Sequence, residues 1–172
     1  MAIKVLVAYA TKYNATKEIS EKIGAALKEA GLQADVTPVK QVSDLAAYDA
    51  VILGSAVYVG QWRKEAAAFL KDNESVLAEK AVWLFSTGPT GEGDPVELLN
   101  GFRIPESLEP VAERIKVREI GVFHGAVYQE KLKMHEKMML KMVKAPIGDF
   151  RVWDAITSWG TKVAEALKAE EK

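Results

Sequence analysis

The chain has 172 residues, 49% of them apolar and 27% charged, with 23 Lys/Arg against 24 Asp/Glu and a formal net charge of −1. That size suits one domain spanning 1–172 with a sizeable core, and the balanced charge gives no case for nucleic-acid binding. The absence of cysteine excludes disulfides, thiolate catalysis and Fe–S ligation, two histidines are too few for a protein-built zinc site, and with no apolar run of about 18 residues and no secretory pattern behind Met1 a cytoplasmic location is expected.

Residues 3–9, IKVLVAY, are short, branched and nearly all apolar, as in a strand buried on both faces. Between 15 and 30, Ile19, Ile23, Ala26, Leu27 and Ala30 recur at helical spacing, and Gly31 closes that helix because glycine tolerates positive φ. Residues 33–39 alternate, which predicts an edge strand, and 48–58 predict a third, buried strand. A helix is expected at 62–78, a fourth strand at 80–88, and a loop over GPTGEGDP at 88–95. A weak helix follows at 108–114, a fifth strand at 115–125, a basic helix at 130–144 and a last helix at 152–170. This alternation implies a parallel sheet with helices on both faces. No internal repeat, low-complexity tract or linker interrupts it.

In an open parallel sheet, ligands bind beyond the carboxyl ends of the strands, where the strand order switches. The segment TKYNAT, Thr11 to Thr16, joins the first strand to the first helix. A helix N-terminus offers free N–H groups and a partial positive charge. Thr11 and Thr16 add hydroxyls, and Asn14 suits a helix cap and a left-handed backbone. Together they make a phosphate cradle, with plain helix capping as the alternative reading. The stretch matches neither G-x-x-x-x-G-K-[ST] nor G-x-G-x-x-G, which disfavours a triphosphatase or a dinucleotide site. Two further loops share the same sheet edge. GSAVYVGQW (54–62) brings small residues and Tyr58, and STGPTGEG (86–93) brings glycines, threonines and a proline. Small residues let backbone approach a flat ring on which an aromatic stacks, whereas Trp62 is expected in the core. Each loop alone reads as a turn; three at one edge point to a phosphorylated planar ligand.

These loops resemble those of the flavodoxin superfamily. The family's phosphate loop, [TS]-x-T-G-x-T, reads here as Thr11-Lys12-Tyr13-Asn14-Ala15-Thr16, with Tyr13 replacing a hydroxyl residue and Asn14 replacing glycine. The second loop is similar to G-x-S-T-W, with Gly54 and Tyr58 in the glycine and aromatic places. The third, Ser86 to Gly91, stands where the family contacts the isoalloxazine edge. The resemblance implies a three-layer α/β/α flavodoxin-like fold, with a five-stranded parallel sheet of order 2-1-3-4-5 and an inserted helix after strand 5. It implies FMN as cofactor, held by Thr11, Lys12, Tyr13, Asn14, Ala15 and Thr16, by Ser55, Ala56, Val57, Tyr58, Val59 and Gly60, and by Ser86, Thr87, Gly88, Pro89, Thr90 and Gly91. The C-terminal third resembles the branch that includes menaquinone-dependent protoporphyrinogen dehydrogenase. In that branch a segment is inserted after the fifth strand, here at about 127–150. A G-D-x-R-x-W-x-x-I-x-x-W stretch then opens the last helix, here Gly148, Asp149, Arg151, Trp153, Ile156 and Trp159.

In a flavoprotein the cofactor carries the redox chemistry, and no nucleophile–base set stands out. His124, just past the fifth strand, is the candidate for proton transfer, with a non-catalytic strand-end histidine as the alternative. Asp149 and Arg151 are expected to cap and anchor the last helix. Residues 127–151 carry six basic and three acidic side chains, whereas 1–126 carry 14 and 17. On a helix over 131–144, Lys133, Lys137, Lys141 and Lys144 line one side and Leu132, Met138, Met139, Met142 and Val143 the other. Such a helix suits an anionic membrane surface or an acidic partner; alternatively, it packs on its own domain or on a second subunit of a homo-oligomer. The resemblance implies an FMN-dependent oxidoreductase between a reduced substrate, with protoporphyrinogen as a candidate donor, and a quinone. Two alternatives stand beside it. One is a soluble electron carrier docking on protein partners, against which the weak net charge argues. The other is a non-redox interaction protein that kept the fold, left open by Tyr13 and Asn14.

Overall fold

Strand β1 (Lys4–Ala10) is buried along nearly its whole length because it lies inside a sheet covered on both faces. In the computed structural model, which describes residues 2–171, the strands that follow are β2 (Gln33–Pro38), β3 (Ala50–Tyr58), β4 (Gln61–Trp62), β5 (Ala81–Thr87), β6 (Ile120–Phe123), β7 (Ala126–Val127) and β8 (Gly148–Asp149). Five of them are parallel, in the order β2-β1-β3-β5-β6, which is the expected 2-1-3-4-5 arrangement. The helices are α1 (Ala15–Glu29), α2 (Lys64–Asp72), α3 (Glu74–Leu77), α4 (Pro95–Leu98), α5 (Glu109–Arg114), α6 (Met134–Met142) and α7 (Trp153–Glu170).

Alternation along β1 sends Val5 and Val7 to one face and Leu6 and Ala8 to the other. On the first face α1 and α7 bring Ile19, Ile23, Leu27, Ile156 and Val163 into the core. On the second, α2, α3 and α5 bring Ala66, Leu70, Leu77 and Val111. Each of the larger side chains contributes about 1.5–3 kcal/mol by leaving water. The result is the three-layer flavodoxin-like fold. Near the carboxyl ends of the strands, Phe85, Phe123 and Trp159 form a trio with ring centroids 5.5–6.0 Å apart, Trp159 meeting both phenylalanines edge to face. The Phe85 ring lies on Gly54, where a Cβ would sit 2.0 Å from Cζ. The glycine in the second loop's motif is therefore demanded by packing beneath the site.

Three elements depart from the expected boundaries. The stretch 62–78 does not begin as a helix: Val59 (φ 52) and Gly60 (φ 70) make a two-residue turn, and β4 folds back on β3, pairing Val57 with Trp62 and Tyr58 with Gln61. The helix then breaks between Asp72 and Glu74, at Asn73. The fifth strand starts at Ile120, not 115, because residues 115–117 close α5. Lys116 is left-handed (φ 59), and Val117 N–H donates to the Ala112 carbonyl at 3.1 Å, a Schellman closure with lysine where glycine is usual. The insertion is an antiparallel ribbon of β7 and β8 with α6 between them. Of these closures only that of α1 uses the expected glycine, with Gly31 at φ 93 and Leu32 N–H donating to the Leu27 carbonyl.

The left-handed lysine carries a Cβ penalty of about 1–2 kcal/mol. Lys116→Gly is accordingly expected to raise folding stability by about 1 kcal/mol, read as a higher urea midpoint at unchanged slope. No gain, or a loss, would show that this closure is unstrained.

Candidate functional site

The carboxyl ends of β1, β3 and β5 deliver the three loops to one edge. In the first, Asn14 takes the left-handed conformation (φ 71, ψ 0), and its side chain makes no capping hydrogen bond. It is a backbone device rather than a side-chain cap. The first intrahelical bond of α1 runs from Glu18 N–H to the Asn14 carbonyl. The N–H groups of Ala15, Thr16 and Lys17 precede it and lie at the positive end of the helix.

Several hydroxyls in the loops are committed to the protein. Thr16 is fully buried, and its Oγ1 lies 2.7 Å from Oγ1 of Thr87, tying the first loop to the third. Ser55 donates to the Ala56 carbonyl and accepts the Arg63 N–H. Ser86 accepts from Trp62 Nε1 at 2.8 Å and donates to the Arg103 carbonyl. Trp62 is buried, as expected, and its indole nitrogen fastens the second loop to the third. The Thr11 and Thr90 hydroxyls have no hydrogen-bond partner among the described residues and remain available to a ligand.

Tyr58, about one third exposed, lies between two cations, with Lys12 Nζ 5.6 Å and the Arg63 guanidinium 5.9 Å from its ring centroid. Burial raises its phenol to about 12 against the pull of Arg63, so it stays a neutral aromatic face. Val59 and Gly60 form the turn above it. Gly88 backs onto Val57, and a Cβ on Gly125 would meet Gly88 Cα at 3.1 Å. Pro89 accepts the Gly125 N–H at 3.0 Å. These close approaches leave a cavity of about 50 Å³ lined by Thr11, Tyr13, Ala56, Val57, Gly88 and Val127, among others. A wider groove of about 980 Å³ lies at the other end of the strands, beside Lys4, Asp49 and Arg118, away from the end at which open parallel sheets bind ligands.

His124 is buried beyond the end of β6, and its Nε2 has no hydrogen-bond partner among the described residues. Such an orphaned group is costly unless something else satisfies it.

The insertion contributes residues that no local pattern announced. Glu136 of α6 accepts Lys12 Nζ at 2.8 Å and the Tyr13 hydroxyl at 2.5 Å, from positions more than a hundred apart in the chain. Burial opposes its ionisation, but the Lys12 ammonium, the Tyr13 hydroxyl and the Lys133 N–H outweigh that and hold the carboxyl at about 2. Arg151 does not cap α7. Its guanidinium forks onto Asp149, reaches Glu18 and the Ala15 carbonyl of α1, and meets the Tyr128 hydroxyl. On α6 the inward positions are Glu136 and Leu140, not the methionines. Met134, Met138 and Met142, four residues apart, are 76%, 60% and 82% exposed. They form an outward stripe with Lys133, Lys137, Lys141 and Lys144 on its flank.

The flavodoxin domain family matches residues 6–151. The chain belongs to that family. Among characterised relatives, protoporphyrinogen IX dehydrogenase [quinone] of Escherichia coli strain K12 is 30% identical, over 91% of this chain and 89% of its own. Among solved structures, an archaeal flavodoxin superposes with a TM-score of 0.64 at 14% identity, covering 96% of this chain and 99% of its own. Oxidised flavodoxin 2 from Bacillus cereus superposes at 0.56 and 20% identity, covering 97% and 99%. These likenesses establish the fold.

FMN is the cofactor of the flavodoxin family, and the donor set here fits it. A phosphate held at the start of α1 would meet the N–H groups of Ala15, Thr16 and Lys17, with Thr11 lining the same slot. A flat ring in the slot would meet the backbone of Gly88 and the neutral Tyr58. The slot is narrow, since small-molecule sites run to roughly 300 Å³ or more. Tyr13, Tyr58 and the Gly125–Val127 segment are among its walls.

Proposed function

We propose that the chain is an FMN-dependent oxidoreductase that passes electrons from a reduced, hydrophobic substrate of the porphyrinogen type to a quinone. The observation that carries this reading is the insertion, which reaches the first loop through Glu136 and turns a methionine stripe outward. The E. coli relative matches over 91% of the chain, and its name gives both substrate classes.

When bound, FMN supplies the redox chemistry. The chain's part is to hold, shield and protonate. The start of α1 holds the phosphate. Gly88 and the second loop approach the ring with backbone, while Val57 excludes water from it. Tyr58 stays neutral and packs on a face of the ring. The buried Nε2 of His124, without a hydrogen-bond partner among the described residues, is the group offered for holding or passing a proton.

Among the described residues, no helix is long and apolar enough to cross a membrane. The proposed location is cytoplasmic with peripheral contact: the methionine stripe enters the lipid interface, and the lysines meet anionic headgroups at about 1 kcal/mol each. The test reconstitutes the protein with FMN and follows quinone-dependent oxidation of protoporphyrinogen on anionic liposomes. Replacing Lys133, Lys137 and Lys141 with glutamate is expected to leave the yellow holoprotein intact, to abolish sedimentation with the liposomes and to slow the quinone reaction. If the wild type ignores liposomes and the triple variant reacts equally fast, the membrane part fails. A smaller oligomer on Met138→Glu would then assign the stripe to a second subunit.

A further inference from the structure

The insertion is fastened across the site at two places besides its base. On one side Glu136 takes hydrogen bonds from Lys12 and Tyr13 of the first loop. On the other, Pro146 lies against the third loop, where a Cβ on Gly91 would be 3.5 Å from its Cγ. The base is the β7/β8 ribbon, pinned to α1 by the nearly buried Arg151. The segment just before the insertion, Gly125 to Val127, walls the cavity directly. The insertion therefore runs from one cofactor loop to the other.

The two fastenings differ in kind. The Pro146 contact is apolar and without hydrogen bonds among the described residues. The Glu136 contact is an ion pair with a second, phenolic donor, and the Glu136 side chain is 13% exposed. Tyr13, which stands where the family's phosphate loop has a hydroxyl residue, is spent on Glu136, and so is its neighbour Lys12. At neutral pH the carboxylate is ionised, the form that pairs with the Lys12 ammonium.

We propose that Glu136 is a clasp: it holds the insertion across the mouth of the cleft and limits how fast a flavin is admitted. A cavity of about 50 Å³ cannot take a three-ring system without movement of its walls, and Tyr13, one of those walls, is held by Glu136. Release of the carboxylate frees Tyr13 and lets the strap swing on its Arg151-pinned base. The gating step rests on the FMN reading; the clasp itself does not.

The experiment compares wild type, Glu136→Gln and the swap Lys12→Glu/Glu136→Lys. Hydrogen exchange of peptides covering 129–147 reads the strap without any flavin. Stopped-flow quenching of FMN fluorescence by the apoprotein reads admission. Glu136→Gln is expected to speed exchange in those peptides and to raise the FMN association rate about ten- to a hundredfold, as loss of hydrogen bonds to a charged group implies. The swap is expected to recover most of the slow exchange and slow association. Unchanged exchange in Glu136→Gln overturns the clasp. Faster exchange with an unchanged association rate overturns the gate. If none of the three proteins quenches FMN, the cofactor reading and the gate fail together, while the exchange data still decide the clasp.

Discussion

Arg151→Ala is expected to cost about 3 kcal/mol of folding stability and to loosen the whole insertion. The guanidinium side chain is 4% exposed and satisfies four separate groups: both Asp149 oxygens, a Glu18 oxygen, the Ala15 carbonyl and the Tyr128 hydroxyl. It also lies over Trp153, 4.7 Å from the ring centroid. Removing one partner of a buried pair usually costs about 3–5 kcal/mol, because the other charge is left stranded. The lower end applies here, since Glu18 and Asp149 remain partly in water and are rescued by it. Arg151→Lys is expected to recover less than half of the loss, because an ammonium cannot fork onto a carboxylate while reaching α1. Urea unfolding of the three proteins measures this. A loss below about 1 kcal/mol for alanine would mean that the network is only a surface decoration.

Much of the scaffold was legible. The buried strands β1, β3 and β5 are almost free of polar residues, and α1 carries its apolar stripe and closing glycine in plain view. The strand order followed from the resemblance, not from any local pattern. Two misread boundaries share a cause: lysines at 116 and 144 occupy left-handed positions that glycine normally marks, so nothing signalled the turn that delays the fifth strand after α5 or the stop of α6. The β3–β4 turn was hidden the same way, with valine at its first left-handed position. In the site, the loops were legible as loops because their composition is extreme. What the individual hydroxyls do was not. Thr16 looked like a phosphate donor, but its partner is Thr87, 71 positions away. Glu136 escaped for the same reason, as did the reach of Arg151 to Glu18, since an ion pair across more than a hundred residues leaves no spacing to read.

The largest effect expected in binding concerns the phosphate. If the start of α1 is the cradle, a phosphate dianion gains two or three charge-assisted hydrogen bonds from the N–H groups of Ala15, Thr16 and Lys17, with the helix end adding its partial charge. At about 1.5–3 kcal/mol each, two such bonds already correspond to roughly a thousandfold in affinity. Riboflavin, which has the same ring without the phosphate, is therefore expected to bind about a thousandfold more weakly than FMN. FAD is expected to bind weakly as well, because the chain has one cradle and no dinucleotide fingerprint.

The most direct measurement is a fluorescence-quenching titration of the apoprotein with FMN, riboflavin and FAD at one salt concentration. Tight binding of FMN alone, with riboflavin about a thousandfold weaker and FAD weak, is the predicted result. Equal affinity for FMN and riboflavin would place the phosphate away from α1, and no quenching by any of the three would contradict the account of this chain as a flavin-dependent redox protein.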